Sequence, residues 1–411
     1  MNPHIRRISL IQTAIVALLC LAMTACDKDD NEKSKSSRTV LVYMSGENSL
    51  SSITTYDLEE MMIGSEQISD SDNLIVYVDR TDKNELPWLG RVKDGIVIDT
   101  VTIADMQISD YDELASDPHI FEQVLTYAYS HYPANDGYGL VLWGHADGWV
   151  IEDSIAYSRA YGVDNGTDSP DAKLKRNKNL NIPTIRRILE KQPHLKFIFA
   201  DCCLCMCLEL VYELRNVTDY VIATPAEIPD DGAPYHMVVP DMFDRGDFAG
   251  KIVDSYFAAY KDYLLLSAIK TSEMDTVATA TRKVLKAIYG RLGTEYPDLT
   301  GLIHYFYYGG GSFNKEDNLF YDAGDFIQRY ATAEEYQAWK QALDQAIVTK
   351  TYAEHWETEK HWNTYYADFT MTPGRAHGVS MYIPKDPKHS QSKKMNEDLK
   401  NFLWYYAVWD W

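Results

Sequence analysis

The chain has 411 residues, 45% of them hydrophobic, and a formal net charge of -22. That length and apolar content describe a globular protein of one large domain or two, not a disordered chain. The acid excess offers no basic stripe for phosphates, which excludes nucleic acid as a partner and suits cationic peptides or plain solubility.

Arg6 and Arg7 open the chain, and Ile11 to Met23 is an apolar run short of a comfortable bilayer span, so residues 1–26 read as a targeting segment. The run ends in Leu21-Ala22-Met23-Thr24-Ala25-Cys26. This resembles a bacterial lipobox, in which Cys26 is acylated; cleavage after Ala25 is the alternative. Residues 27–38, beginning Asp27-Lys28-Asp29-Asp30, form a polar tether similar to that of surface-exported Bacteroidota lipoproteins. The implied location is the outer membrane or cell surface of a Gram-negative bacterium, reached through a lipid anchor alone, with the periplasm or secretion as alternatives.

The folded part, residues 39–411, reads as a single domain without internal repeats. Thr39 to Met44 and Asn73 to Asp79 are β-branched and aromatic runs that predict buried strands, with a helix between them over Leu50 to Ile63. Trp88 to Arg91 and Gly95 to Val101 predict a hairpin, and Pro118 to Ser130 a helix that feeds the strand Tyr138 to Trp143. The stretch 153–181 lacks apolar periodicity and carries Lys173, Lys175, Arg176 and Lys178, which predicts an exposed loop. A helix from Ile182 then leads to the strand Leu195 to Phe199, a helix over Cys207 to Leu214, and the strand Tyr220 to Ala223. Helices near 252–263, 273–292 and 334–348 and strands at 264–269 and 379–383 complete the pattern. Alternating strands and helices predict an α/β fold with a mostly parallel sheet covered on both faces, whose site lies off the carboxyl ends of the strands.

Two of those strand ends carry chemistry. Gly144-His145-Ala146-Asp147-Gly148 follows one, and Asp201-Cys202-Cys203-Leu204-Cys205 follows the other. An imidazole beside a thiol can take its proton and later protonate a leaving amine, so His145 and Cys203 make a candidate dyad. Backbone N–H groups at Gly144 and Cys203 are candidate oxyanion donors. Four cysteines within 202–207 do not form a disulfide framework, and without a second Cys pair they are a weak zinc pattern; no metal ligands are assigned. Cys203, Cys207, Val211 and Leu214 recur at helical spacing, which predicts Cys207 as a small core residue.

These blocks resemble the clostripain family of cysteine peptidases, in the caspase-like clan. The similarity rests on Trp143-Gly144-His145-Ala146-Asp147-Gly148-Trp149 and on Asp201 to Cys205 with its trailing Glu209 to Leu214. It continues through Asp219 to Ala223, Asp231 to Tyr235, Val42 to Leu50 and Gly378 to Pro384. The resemblance implies a caspase-haemoglobinase fold and hydrolysis after Arg or Lys through a thioester intermediate. Its register puts the nucleophile on Cys203, with Cys202 and Cys205 where relatives carry Ala and Met. It also implies an acidic pocket from Asp201 and Asp231, self-cleavage in the basic loop, peptide or protein substrates bearing basic residues, a monomer, and calcium as an optional cofactor. By residue type alone Asp201 reads equally as a helix cap, and Asp231 before Gly232 as a turn residue. An inactive caspase-like binding lipoprotein and a Cys-cluster metal-binding lipoprotein are the competing readings.

Overall fold

The computed structural model describes residues 37–82, 85–108, 115–151, 161–162, 180–260, 264–305, 319–357, 368–372 and 374–411. The targeting segment with Cys26, the tether up to residue 36 and the loop residues Lys173, Lys175, Arg176 and Lys178 lie outside them.

The strands in chain order are β1 (Arg38–Gly46), β2 (Asn73–Arg80), β3 (Trp88–Lys93), β4 (Ile96–Thr102), β5 (Gly137–Gly144), β6 (Leu195–Asp201), β7 (Thr218–Ala223), β8 (Leu265–Lys270), β9 (Tyr321–Asp322) and β10 (Ile347–Tyr352). All but β9 join one nine-stranded sheet in the order β10-β8-β7-β6-β5-β1-β2-β3-β4. Its five central strands, β7-β6-β5-β1-β2, run parallel. Antiparallel strands close both edges, β3 and β4 beyond β2, and β8 and β10 beyond β7.

The helices cover both faces, as the near-continuous apolar strands require. They are α1 (Ser51–Ser65), α2 (Pro118–His131), α3 (Ile182–Leu189), α4 (Leu208–Leu214), α5 (Tyr235–Met242), α6 (Phe248–Tyr260) and α7 (Met274–Leu292), followed by α8 (Ala323–Tyr330) and α9 (Ala333–Ala346). Side chains alternate along β1: Leu41 and Tyr43 join the core under α2, α3, α4 and α7, while Val40, Val42 and Met44 join the core under α1, α5 and α6. Each fully buried aliphatic side chain contributes about 1.5–3 kcal/mol, so both faces hold the central strands in register. Asp117 caps α2 by accepting from His119 N, with Pro118 at its first turn.

Three expectations shift. The helix foreseen to 348 ends at Ala346, and Ile347–Tyr352 becomes the edge strand β10, paired antiparallel with β8. The expected strand over 379–383 pairs only through Ser380–Met381, against β9 in a separate two-stranded sheet. The helix foreseen from Cys207 begins at Leu208, so Cys203 and Cys207 precede it. Among the described residues no helix is long and apolar enough to cross a membrane.

Candidate active site

Sheet order brings three turns to one edge. β5 lies between β1 and β6, with Ser45 opposite Gly144 and Trp143 opposite Asp201. The turns that follow these strands therefore meet at their carboxyl ends. Gly144 has φ 137°, and a Cβ there would lie 2.8 Å from the Ser45 carbonyl oxygen, so only glycine lets the chain leave β5 at this angle. His145 comes next, half-buried. Its Nε2 lies 2.8 Å from the Oγ of Ser49, an exposed residue in the turn after β1.

Cys203 sits in the turn joining β6 to α4. Leu204 takes a left-handed conformation with φ 63°, a costly choice for a branched residue. The turn is fixed by Leu204 N donating to Ala226 O at 2.8 Å, Met206 N donating to Thr224 O at 2.8 Å, and the Cys205 thiol donating to Cys203 O at 3.3 Å. Cys202, Cys205 and Cys207 are buried, whereas Cys203 is half-buried. Cys202 and Cys205 sulfurs lie 3.3 Å apart as free thiols. Cys207 packs in the core as expected, although it lies ahead of the helix rather than on its face.

Burial, then the Glu227 carboxylate, push the Cys203 thiol well above the ordinary range; Ile228 N, 3.5 Å from the sulfur, opposes this. At neutral pH the Cys203 thiol is thus neutral, and it would need a base before it could attack.

His145, Cys203, Gly144, Trp143, Asp201, Asp230 and Gly232 line one open pocket with about 320 Å³ of empty space. Asp201 is buried in its wall, accepting from Ala233 N at 3.1 Å, Tyr235 OH at 2.8 Å and Tyr256 OH at 3.1 Å. Burial nevertheless raises its pKa to about 6. Asp231 is exposed, and its turn neighbours Asp230 and Gly232 supply the lining instead. Among the described residues no three His, Cys, Asp or Glu side chains are placed to hold a metal ion.

A model of the clostripain family matches residues 42–411. The chain belongs to the clostripain family. It is accordingly a cysteine-type endopeptidase with a caspase-like fold. It is similar to the structure of a secreted C11 cysteine protease from Bacteroides thetaiotaomicron bound to an irreversible peptide inhibitor, at 29% identity and TM-score 0.71 over 90% of this chain and 98% of that one. It is also similar to an inactive zymogen C11 protease from Parabacteroides distasonis, at 27% identity and TM-score 0.72 over 91% and 98%. A third match, a secreted C11 cysteine protease from Bacteroides thetaiotaomicron called iotapain, shares the fold at 19% identity and TM-score 0.66 over 91% and 99%. No curated protein matches the chain.

Two residues of this clostripain-family site escaped sequence reasoning. Ser49 stands in a polar turn whose only signal is its place after a strand, and β1 becomes a neighbour of β5 only in the folded sheet. Asp57 belongs to the buried stripe of α1, with Thr54, Met61 and Gly64. A carboxylate on that stripe is the anomaly that would have marked it. Its Oδ2 accepts from Trp143 Nε1 at 2.5 Å.

Proposed function

We propose that the chain hydrolyses peptide bonds after Arg or Lys, with Cys203 as nucleophile and His145 as its base and acid. The observation that carries this reading is that Cys203 alone among the four described cysteines escapes full burial, and it opens into the same pocket as His145. Cysteine-type peptidase activity comes with family membership, so the competing scaffold and metal readings have no observation in their favour.

The chemistry follows from the arrangement. His145 takes the Cys203 proton as sulfur adds to the scissile carbonyl carbon, and the carbonyl oxygen becomes an oxyanion facing the N–H groups of Gly144 and Cys203. Collapse breaks the C–N bond, His145 returns the proton to the leaving amine, and a thioester remains on Cys203. His145 then deprotonates water, whose attack releases the carboxylic acid and restores the thiol. When the imidazole becomes charged, its Nε2–H donates to the Ser49 hydroxyl 2.8 Å away.

Acids near the pocket support the basic preference: Asp201 in the wall, Asp230 at the rim and Asp231 beside it. The same preference makes the Lys173 to Lys178 stretch a target for self-cleavage. An extracytoplasmic lipoprotein anchored through Cys26 is supported by the Leu21 to Cys26 motif, and two of the similar structures are described as secreted. The test is cleavage of peptide reporters carrying Arg, Lys, Asp or Leu before the scissile bond by protein lacking residues 1–26. Turnover confined to Arg and Lys and lost in Cys203→Ala is expected. Turnover that survives Cys203→Ala, or that favours Asp or Leu, would refute the reading.

A further inference from the structure

We propose that Asp57 is a further specificity-determining residue, the carboxylate behind Gly232 and Trp143 that receives the charge of the Arg or Lys side chain together with Asp201. This rests on the basic preference proposed above. Gly232 lines the pocket and has φ 66°, and its missing Cβ would lie 3.2 Å from both Asp57 Oδ2 and Asp201 Oδ2 and 3.7 Å from Trp143 Nε1. Two carboxylates from α1 and β6 thus converge on the wall that glycine leaves bare.

Hydrogen-bond accounting separates the two acids. Asp201 has donors on both oxygens: Ala233 N and Tyr235 OH on Oδ2, and Tyr256 OH on Oδ1. Asp57 is fully buried, its Oδ2 is met by Trp143, and its Oδ1 has no partner. The carboxyl is thus under-satisfied, and its Oδ2, the oxygen beside Gly232 at the pocket wall, is the one an entering guanidinium or ammonium would meet. The groups acting on Asp57 from the surrounding elements are acids too: Asp201 on β6, Glu60 on α1 and Asp231 in the turn before α5. Glu60 is in turn paired with His236 at 2.8 Å.

Burial first, and then the Asp201 charge, hold Asp57 protonated up to about 9 in the empty protein. A cation arriving in the pocket reverses that balance. The Asp57 carboxyl gives its proton to solvent, and the resulting carboxylate pairs with the substrate's charge. Below the pKa of Asp57, basic ligands therefore bind with proton release. The energy needed to ionise Asp57 is met only by a cationic side chain, which sharpens discrimination against neutral ones.

Asp57→Asn tests this, because the amide oxygen still accepts from Trp143 Nε1 while the charge is gone. Reporters with Arg or with citrulline, its uncharged near-isostere, before the scissile bond are compared in both proteins. Asp57→Asn is expected to lower the Arg-to-citrulline ratio of kcat/KM about tenfold, with a thermal midpoint equal to or above the parent's. An unchanged ratio in folded Asp57→Asn would overturn the proposal. A parent that does not prefer Arg over citrulline would overturn the basic preference itself, and the role of Asp57 with it, before any variant is made. A second readout needs no turnover. Calorimetric titration of Cys203→Ala with benzamidinium at pH 7.5, in buffers of different ionisation enthalpy, is expected to release about one proton per ligand bound. Release should vanish when Asp57→Asn is added; no release from Cys203→Ala, or release that persists in the double variant, would contradict the proposal.

Discussion

Ser49 Oγ at 2.8 Å from His145 Nε2 is the contact that orients the proposed base. Removing it costs the ring one hydrogen bond, but leaves the pocket's acids in place. Ser49→Ala is expected to lower kcat about tenfold with KM nearly unchanged, and Ser49→Thr to keep most of the activity, in steady-state assays on an Arg reporter. A KM effect with unchanged kcat would assign Ser49 to substrate contact instead. At this scale the sequence revealed the residues with distinctive chemistry. His145 and Cys203 stood in motifs at strand ends, and the structure brings both to one pocket. Ser49 and Asp57 were illegible because their roles come from neighbours distant in the chain: residue 145 for one, residues 143 and 201 for the other. Asp230 and Asp231 are both exposed in the turn before α5; Asp230 lines the pocket, and Asp231 lies close enough to act on Asp57.

The turn from β6 to α4 holds the nucleophile, and α4 itself is buried along its whole length. Two glutamates sit inside it. Glu213 is paired with Arg186 at 2.8 Å and accepts from Leu403 N, whereas Glu209 has no ion-pair partner among the described residues: it accepts from Tyr382 N at 2.7 Å, and its Oε2 has no hydrogen-bond partner. Burial raises the Glu209 pKa to about 8. The unfolded carboxylate ionises near pH 4.3, so between about 4 and 8 the folded protein holds a proton that the unfolded chain releases. The contribution of this group to stability is therefore greatest at low pH and falls as pH rises through that window, at up to about 1.4 kcal/mol per pH unit. Glu209→Gln should reduce the loss of thermal midpoint between pH 5 and pH 8; an equal loss in parent and variant would mean Glu209 is already ionised in the fold. Element boundaries were less legible than elements. Four of the six residues 347–352 (Ile347, Val348, Thr349 and Thr351) are β-branched and the stretch follows a helix without a break, and only pairing with β8 turns it into a strand. Cys207, placed on the helix by its spacing from Cys203, Val211 and Leu214, is instead the last residue of the six-residue turn before α4.

Over the whole molecule, the α/β alternation, the parallel core and the placement of the site off the strand ends were all readable from apolar periodicity. The order β6-β5-β1 was not, since strands adjacent in space are separated by long connections in sequence. That order has a consequence for self-processing. β5 precedes the basic loop and β6 follows it, yet the two strands pair in parallel in the middle of the sheet. Cleavage within 173–178 should give two fragments on a denaturing gel that elute together in size-exclusion chromatography; fragments that separate without denaturant would contradict this. The most direct measurement of the proposed chemistry is mass spectrometry of the protein after treatment with a peptidyl-lysine chloromethyl ketone, whose chloride a reactive thiolate displaces. One adduct, on Cys203, absent from Cys203→Ala and strongly slowed in His145→Ala, is the expected result. An adduct on Cys202 or Cys205, or labelling of Cys203 at an equal rate without His145, would contradict a Cys203–His145 site.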